Sequence, residues 1–526
     1  MRARLAALGL GCALLLAACA PGGSSPVSSP PGASVPEVPE DDSGWNVETH
    51  WDQLTPYHAP EQVARRYYEG YTDRLIPAGD YGPLYPFVGG ELAGLDFFGV
   101  PVTSQRRGLM TADGRIVVDA VYDRAYANSW YSEATGEYGE GDFLILGRSV
   151  PDGSGWARIA YTFAARDGSW VTQEDRYTLI DEMAMPGGRP DRLMVLDQQT
   201  QDIVVLDGQG TEQYRWSWAQ LGYGPDRESW WYSSVTTLWV GDECLVQSWP
   251  EGRRWYRAEE DGSLTALEGI SDIRPGDRFP LPASSSQSSG LYGYMDRDGT
   301  FVIPPQFTQA EPFRLGAAPV RRQDGSWALI DGQGGQISAL PDFQGLAQPD
   351  FDGAGVLYLT SGGPALWTGE GVELWQGWFY AAGWLYRPTD TGVELARPGQ
   401  SLELDIGTPA GLSDASGDRF VLAGGTGTIL ADQSGAVLTR VQGGELYFVR
   451  SGSAEGEYLF LYDSAAQTSS LLNRDGNVCL TAAADETMSM SSPELVQFWD
   501  EYGWGYRRPS GEWVLRILRA GAMDDI

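Results

Sequence analysis

Gly293-Tyr-Met-Asp-Arg-Asp-Gly-Thr-Phe-Val-Ile-Pro-Pro-Gln-Phe-Thr-Gln-Ala310 aligns without a gap on Gly108-Leu-Met-Thr-Ala-Asp-Gly-Arg-Ile-Val-Val-Asp-Ala-Val-Tyr-Asp-Arg-Ala125. Gly, Met, Asp, Gly, Val and Ala coincide, and Phe301/Ile116, Ile303/Val118 and Phe307/Tyr122 are like for like. The physics of the unit is plain. A short apolar strand enters a polar turn closed by Gly299 or Gly114, and a strand of β-branched and aromatic residues leaves it. Glycine supplies the positive φ that a tight hairpin turn demands.

The same unit recurs along the chain. Trp327-Ala-Leu-Ile-Asp331, followed by Gly334 and Ile337, repeats its front half, and Trp504-Gly-Tyr-Arg-Arg-Pro-Ser-Gly-Glu-Trp-Val-Leu515 repeats it near the C-terminus. Weaker copies occupy residues 204–208, 256–267, 430–438 and 471–480. Recurrence of one supersecondary unit is the mark of a repeat architecture. These residues resemble the WG-repeat family of bacterial proteins. Residues 292–320 fit its pattern nearly end to end, including Ile303-Pro-Pro305, Phe307, Phe313 and Gly316-Ala-Ala-Pro-Val320, whereas Gly108 to Ala125 carries Asp119-Ala120 in place of the proline pair. The dipeptide that gives the family its name stands at Trp504-Gly505, and residues 126–290 match the pattern poorly. The resemblance implies a structural repeat, without catalytic residues.

Composition and pattern together predict an all-β fold. The chain is 42% hydrophobic and 12% aromatic, with 68 glycines clustered beside Asp and Ser, so it has both a core to bury and many turns to make. Strands of about 4–8 residues dominate the reading. Short helices are expected over residues 60–69, where Pro60 takes a first-turn position, and over residues 493–500 behind Ser492 as a cap. Sheets in such an array must bury their faces and protect their edges, which radial packing achieves. At roughly 40–60 residues per blade, the expectation is a β-propeller of about seven or eight blades, with a β-solenoid as the alternative.

The N-terminus is an address. Arg2 and Arg4 precede an apolar stretch from Leu5 to Leu16 that is too short for a bilayer span of roughly 20 residues. Leu16-Ala17-Ala18-Cys19 resembles the lipobox of bacterial lipoproteins, which implies cleavage before Cys19 and lipid attached to it. The expected organisation is a signal peptide over 1–18, a Pro/Ser/Gly-rich tether over 19–44, a helix-containing lead-in over 45–94 and the repeat domain over 95–526. The tether has almost no large apolar side chains and is expected to stay extended.

Composition narrows the chemistry. The formal net charge of −35 repels nucleic acid, so neither DNA nor RNA is an expected partner. The two histidines, His50 and His58, both lie near the tether, which leaves no material for a histidine-based triad or a multi-histidine metal site in the repeat domain. Asp296-Arg-Asp298-Gly299 has the opening of a calcium loop but lacks its further ligands, and a hairpin turn accounts for it. Cys244 and Cys479 have no CxxC spacing, and two separate buried thiols are expected, although an exported compartment permits a disulfide. No residue is assigned a catalytic, cofactor-binding or metal-binding role. Aromatic clusters at Trp216-Ser-Trp218, Trp230-Trp231-Tyr232 and Trp375 through Tyr386 are either core or a platform for a sugar or a partner protein.

The expectation is therefore a lipid-anchored binding or scaffolding module outside the cytoplasm, with an unknown protein or glycan partner. The alternative is an envelope glycan hydrolase that works with a carboxylate pair on a propeller scaffold. Replacing Cys19 with Ser should release the protein into the medium or leave it unprocessed; unchanged partitioning of that variant into the detergent phase would remove the anchor.

Overall fold

Strand sequences such as Ile203-Val-Val-Leu206 are apolar at every position, which suits a strand covered on both faces. The computed structural model describes residues 81–95, 101–131, 138–151, 157–180, 189–224, 235–250, 252–348, 354–425, 427–449, 456–464, 466–482, 486–490, 492, 494–500 and 503–518. Within them, strands make up eleven antiparallel sheets, each a meander of strands consecutive in the chain. Blades 1 and 2 span residues 84–122 and 124–165 and have three strands each. Blades 3 to 11 have four, over residues 177–216, 235–266, 270–307, 309–339, 343–374, 379–405, 410–441, 444–481 and 487–518.

Every blade packs on two others. Ile203 and Val205 point into a cluster shared with blade 4, while Val204 and Leu206 point into one shared with blade 2. Met295 and Tyr294 divide in the same way between blades 4 and 6, as do Leu471 and Leu472 between blades 11 and 9. This is the two-residue period of a strand, used on both sides. The last cluster joins the ends of the chain's fold: Tyr85, Phe87 and Met110 of blade 1 pack with Leu495, Tyr506, Val514 and Leu515 at blade 11. Two hydrogen bonds reinforce that seam. The Val88 N–H donates to the Tyr506 hydroxyl at 2.8 Å, and the Tyr85 hydroxyl donates to Glu494 Oε2 at 2.8 Å. The result is a closed β-propeller of eleven blades.

Two expectations need correction. Eleven blades replace seven or eight because each takes only about 40 residues, the short end of the range for such repeats. The close spacing is that of the later blades, which from blade 4 onward start only 31–43 residues apart, whereas the poorly matching stretch 126–290 holds most of blade 2, all of blades 3 and 4 and the first strands of blade 5. The solenoid alternative fails because the first and last blades share a core. The helix expected over residues 493–500 is a strand at Val496–Asp500, with Val496 and Phe498 buried. Ser492 does cap, accepting the N–H groups of Glu494 and Leu495 at 3.2 and 3.0 Å, but it caps a turn that leads into the second strand of blade 11. The helix expected over 60–69 lies outside the described residues, and the first strand, Leu84–Leu95, begins before residue 95.

The repeated hairpin joins a blade's third strand to its fourth. In blade 5 the pairs Tyr292↔Phe307 and Tyr294↔Ile303 leave a bulge on the outer strand that carries Pro304-Pro305. Blade 1 repeats it with Arg107↔Tyr122 and Leu109↔Val118, so its three strands correspond to the second, third and fourth of the other blades. A Cβ on Gly293 would collide with the Ile303 carbonyl oxygen and with Pro304 and Pro305, and one on Gly108 with the Val118 carbonyl and the Phe87 ring. Gly505, the glycine of the Trp-Gly pair, lies under the Trp513 ring. The motif glycine is thus a place of close approach.

Gly293→Ala should destabilise the protein by about 1–3 kcal/mol through overpacking. Gly316, although its φ of +76° strains a substitution, has open space around it. An unfolding midpoint for Gly293→Ala equal to the wild type would refute the collision.

Candidate binding face

A meander gives a ring two unlike faces. The turns joining strands 1 to 2 and 3 to 4 lie on one side, and those joining strands 2 to 3 and each blade to the next lie on the other. On the first side five of the 3-to-4 turns repeat one hydrogen-bonding scheme. Asp207, Asp296, Asp331, Asp432 and Asn473 each accept, through the side-chain oxygen, the backbone N–H groups two and four residues on. A glycine with positive φ stands three residues after each, as at Gly299 and Gly334. Asp296 is thereby a turn residue, and Asp298 pairs with Arg257 of blade 4. Among the described residues, no three His, Cys, Asp or Glu side chains converge as a metal site.

Charge on this side ties blade to blade. Arg189 Nη1 donates to the Gly241 carbonyl at 3.1 Å and to Asp242 at 2.7 Å, linking blades 3 and 4. Arg419 Nε donates to the Arg474 carbonyl at 3.0 Å, and Arg474 Nη2 returns to Asp418 at 2.9 Å, linking blades 9 and 10. Asp142 and Asp191 approach one another between blades 2 and 3; burial, then the neighbouring charge, raises the Asp142 carboxyl above its ordinary range. Asp191, however, is engaged by Arg189 and Arg192 at 2.9 and 2.6 Å.

The second side is aromatic. Trp249, in the 2-to-3 turn of blade 4, is 53% exposed. Its backbone N–H donates to the Tyr223 hydroxyl at 2.8 Å, and Tyr223 stands edge-on to Trp218 at 5.3 Å, which fixes the loop. The Arg253 guanidinium lies 4.9 Å over the Trp249 ring and pairs with Asp272, whose other oxygen accepts the Tyr292 hydroxyl at 2.6 Å. Burial first, and that carboxylate second, hold the Tyr292 phenol above its usual range, so it stays a donor.

A second aromatic group sits where blade 7 passes to blade 8. Trp375 and Trp378 pack edge-on at 4.9 Å around Gly377, whose φ of +76° allows the reversal. Phe379, which opens the first strand of blade 8, is 55% exposed and lies on Tyr386 with centroids 5.4 Å apart. Gly411 of blade 9 backs the Tyr386 ring, and a Cβ there would come within 3.3 Å of it. Arg387 lies 5.0 Å over Trp378 and grips Glu394 through Nε and Nη2 at 3.1 and 2.5 Å. Trp499, near the end of the second strand of blade 11, adds a third exposed aromatic residue to this side at 37%. The remaining one among the described residues, Tyr447 at 45%, is near the 1-to-2 end of blade 10.

The aromatic clusters of the sequence therefore separate. Trp216 is wholly buried and Trp384 nearly so, hence core. Trp230-Trp231-Tyr232, His50, His58 and Cys19 lie outside the described residues. Cys244 and Cys479 belong to blades 4 and 10 and are free, so the thiols are separate as expected; Cys244 is buried, which pushes its thiol up, but Cys479, on the last strand of blade 10, is only partly buried. Trp249 and Trp499 gave no sequence signal, since each stands between polar or core-forming neighbours and only its place in the ring makes it notable.

Residues 292–327 match the family model described as a WG containing repeat. No curated protein matches the chain. Solved structures with some likeness include Hsv2p of Kluyveromyces lactis, 11% identical over 52% of this chain and 93% of that one, with a TM-score of 0.24. A eukaryotic initiation factor is 12% identical over 78% and 93%, at 0.31, and BamB from Moraxella catarrhalis is 11% identical over 74% and 98%, at 0.19. Superpositions this loose carry no argument about a ligand.

Core and face should differ in urea unfolding. Trp216→Ala should cost about 3–5 kcal/mol, as for other buried aromatics. Trp249→Ala and Phe379→Ala should stay within about 0.5 kcal/mol of the wild type; a large loss in either would mean that the ring belongs to the core.

Proposed function

Starting from a WG-repeat-containing β-propeller, we propose that the protein is a binding module, held outside the cytoplasmic membrane by lipid on Cys19, with its aromatic face toward the ligand. One observation carries the reading: of the four aromatic side chains that stand exposed among the described residues, three gather on the side of the 2-to-3 turns and blade connections. An exposed aromatic ring gains little by facing water and much by being covered, which is why aromatic residues are enriched in contact surfaces. The opposite side carries one exposed aromatic side chain among the described residues, Tyr447. The anchor rests on Leu16-Ala17-Ala18-Cys19, and the tether after it supplies reach between membrane and propeller.

The test is cosedimentation of the detergent-solubilised full-length protein with purified cell-wall sacculi. Wild type should pellet with them, and Trp249→Ala and Phe379→Ala should each lower the bound fraction while Tyr447→Ala does not. Binding that ignores all three substitutions would place the contact elsewhere and sink the proposal.

A further inference from the structure

We infer that residues 69–80 complete blade 1 by laying its first strand along the strand Leu84–Leu95, so that the segment ahead of the ring is part of it. Among the described residues, Leu84–Leu95 pairs with Pro101–Thr111 and no strand lies on its other side. Blade 2, the other three-stranded blade, has its fourth place occupied, since Thr172 and Asp175 donate their N–H groups to the Phe163 and Tyr161 carbonyls at 2.8 Å each. Blade 1 lacks a first strand instead, the one that borders the axis. A sheet edge is a template for a further strand.

The edge has the chemistry to receive one. Pro86 stands opposite Leu109, one residue before the pair Phe87↔Gly108. Pro282 and Pro319 hold the same position in blades 5 and 6, one residue before Ala283↔Gly293 and Val320↔Ala328. A proline there gives up an N–H and keeps a carbonyl on the edge toward the first strand. In blades 5 and 6 that carbonyl accepts the N–H of the residue just after the first strand, Arg274 or Glu311, at 2.9 Å. The donors that flank Pro86 are engaged elsewhere, Leu84 N–H on the Arg166 carbonyl at 2.7 Å and Val88 N–H on the Tyr506 hydroxyl at 2.8 Å. Blade 1 thus places an acceptor where blades 5 and 6 use one.

The sequence supplies the strand. Glu69-Gly-Tyr-Thr-Asp73 matches Glu268-Gly-Ile-Ser-Asp272, which runs into the first strand of blade 5 at Ile270–Ile273. Pro77, Gly79-Asp80 and Pro83-Leu84 then match Pro275, Gly276-Asp277 and Pro280-Leu281, and Leu84 and Leu281 each open a second strand. Eight residues coincide, with one residue more in blade 1 before Pro77 and another at Ala78. Together with the alignment of Gly108 through Ala125 on Gly293 through Ala310, this makes the two blades copies of one unit from first strand to fourth. Residues 519–526 also lead from the fourth strand of blade 11 toward this place, but Arg519-Ala-Gly-Ala-Met-Asp-Asp-Ile526 shows no such match. A first strand starts on the side of the blade connections, so the chain from Cys19 joins the ring on its aromatic side.

Paired cysteines test the placement. Facing residues of antiparallel strands have Cα atoms about 4.5–5.5 Å apart, within the reach of a disulfide. In the full-length protein in detergent micelles, with Cys479→Ser to remove the partly exposed thiol, Val88→Cys is combined in turn with Tyr71→Cys, Thr72→Cys, Asp73→Cys and Arg74→Cys. A second set combines it with Ala520→Cys, Ala522→Cys and Met523→Cys. Under mild oxidation one pair of the first set should link, as read by mass spectrometry of the digested protein, and none of the second. Deuterium exchange of the protein without substitutions should show peptides from residues 69–76 exchanging at least about a hundred-fold more slowly than those from the tether. Exchange of 69–76 at the tether's rate overturns the inference, as do links confined to the second set, which would give the place to residues 519–526. Slow exchange without any link to Val88 puts the segment elsewhere and overturns it too. None of these results bears on the binding face, which Trp249→Ala and Phe379→Ala test separately.

Discussion

Burial of both faces of every sheet is the constraint on which the rest of the structure depends. A four-stranded sheet apolar on one side could stop at a single neighbour, but here successive residues of the same strand, Leu329 and Ile330 or Leu471 and Leu472, point into different cores. Such a sheet needs two partners, and the partners need partners in turn. A linear stack leaves an apolar face bare at each end. Packing Phe87 and Met110 against Leu495, Val514 and Leu515 removes both ends at once, so closure is a consequence of strand composition.

Closure in turn gives the molecule its polarity. With all blades running the same way around the ring, the asymmetry of one meander becomes the asymmetry of the whole. The 3-to-4 turns, five of them held by an Asp or Asn side chain and a glycine such as Gly299 or Gly435, fall on one side, where Arg257 joins blade 4 to blade 5 and Arg419 and Arg474 join blade 9 to blade 10. Connections on the other side carry exposed aromatic side chains that the core does not need, among them Trp249 and Phe379.

Much of this was legible in the chain, for reasons that particular residues make clear. The hairpin of Gly293 through Ala310 could be read because its causes are local: a turn that needs positive φ at Gly299, a strand that alternates, a glycine where another backbone crosses. The helix expected near Ser492 failed because a serine cap looks the same before a turn as before a helix. What decided between them was the burial of Val496 and Phe498 on a strand, and burial is supplied by distant partners. The aromatic face was half legible. Proximity in sequence flagged Trp375 through Tyr386 but could not separate Phe379 from the buried Trp384, and it passed over Trp249 and Trp499.

The sequence by itself determined the all-β class, the repeat and its turn chemistry, because each depends on residues within one hairpin of each other. It also carried the resemblance to a lipobox at Cys19, a matter of four adjacent residues. The number of blades, the closure of the ring and the gathering of exposed rings on one side were decided by the tertiary structure alone. Blade count depends on copies too worn to match the motif yet still able to pack, and closure depends on residues such as Val88 and Tyr506, 418 positions apart. No local pattern encodes which way a side chain faces once eleven sheets have been turned about a common axis.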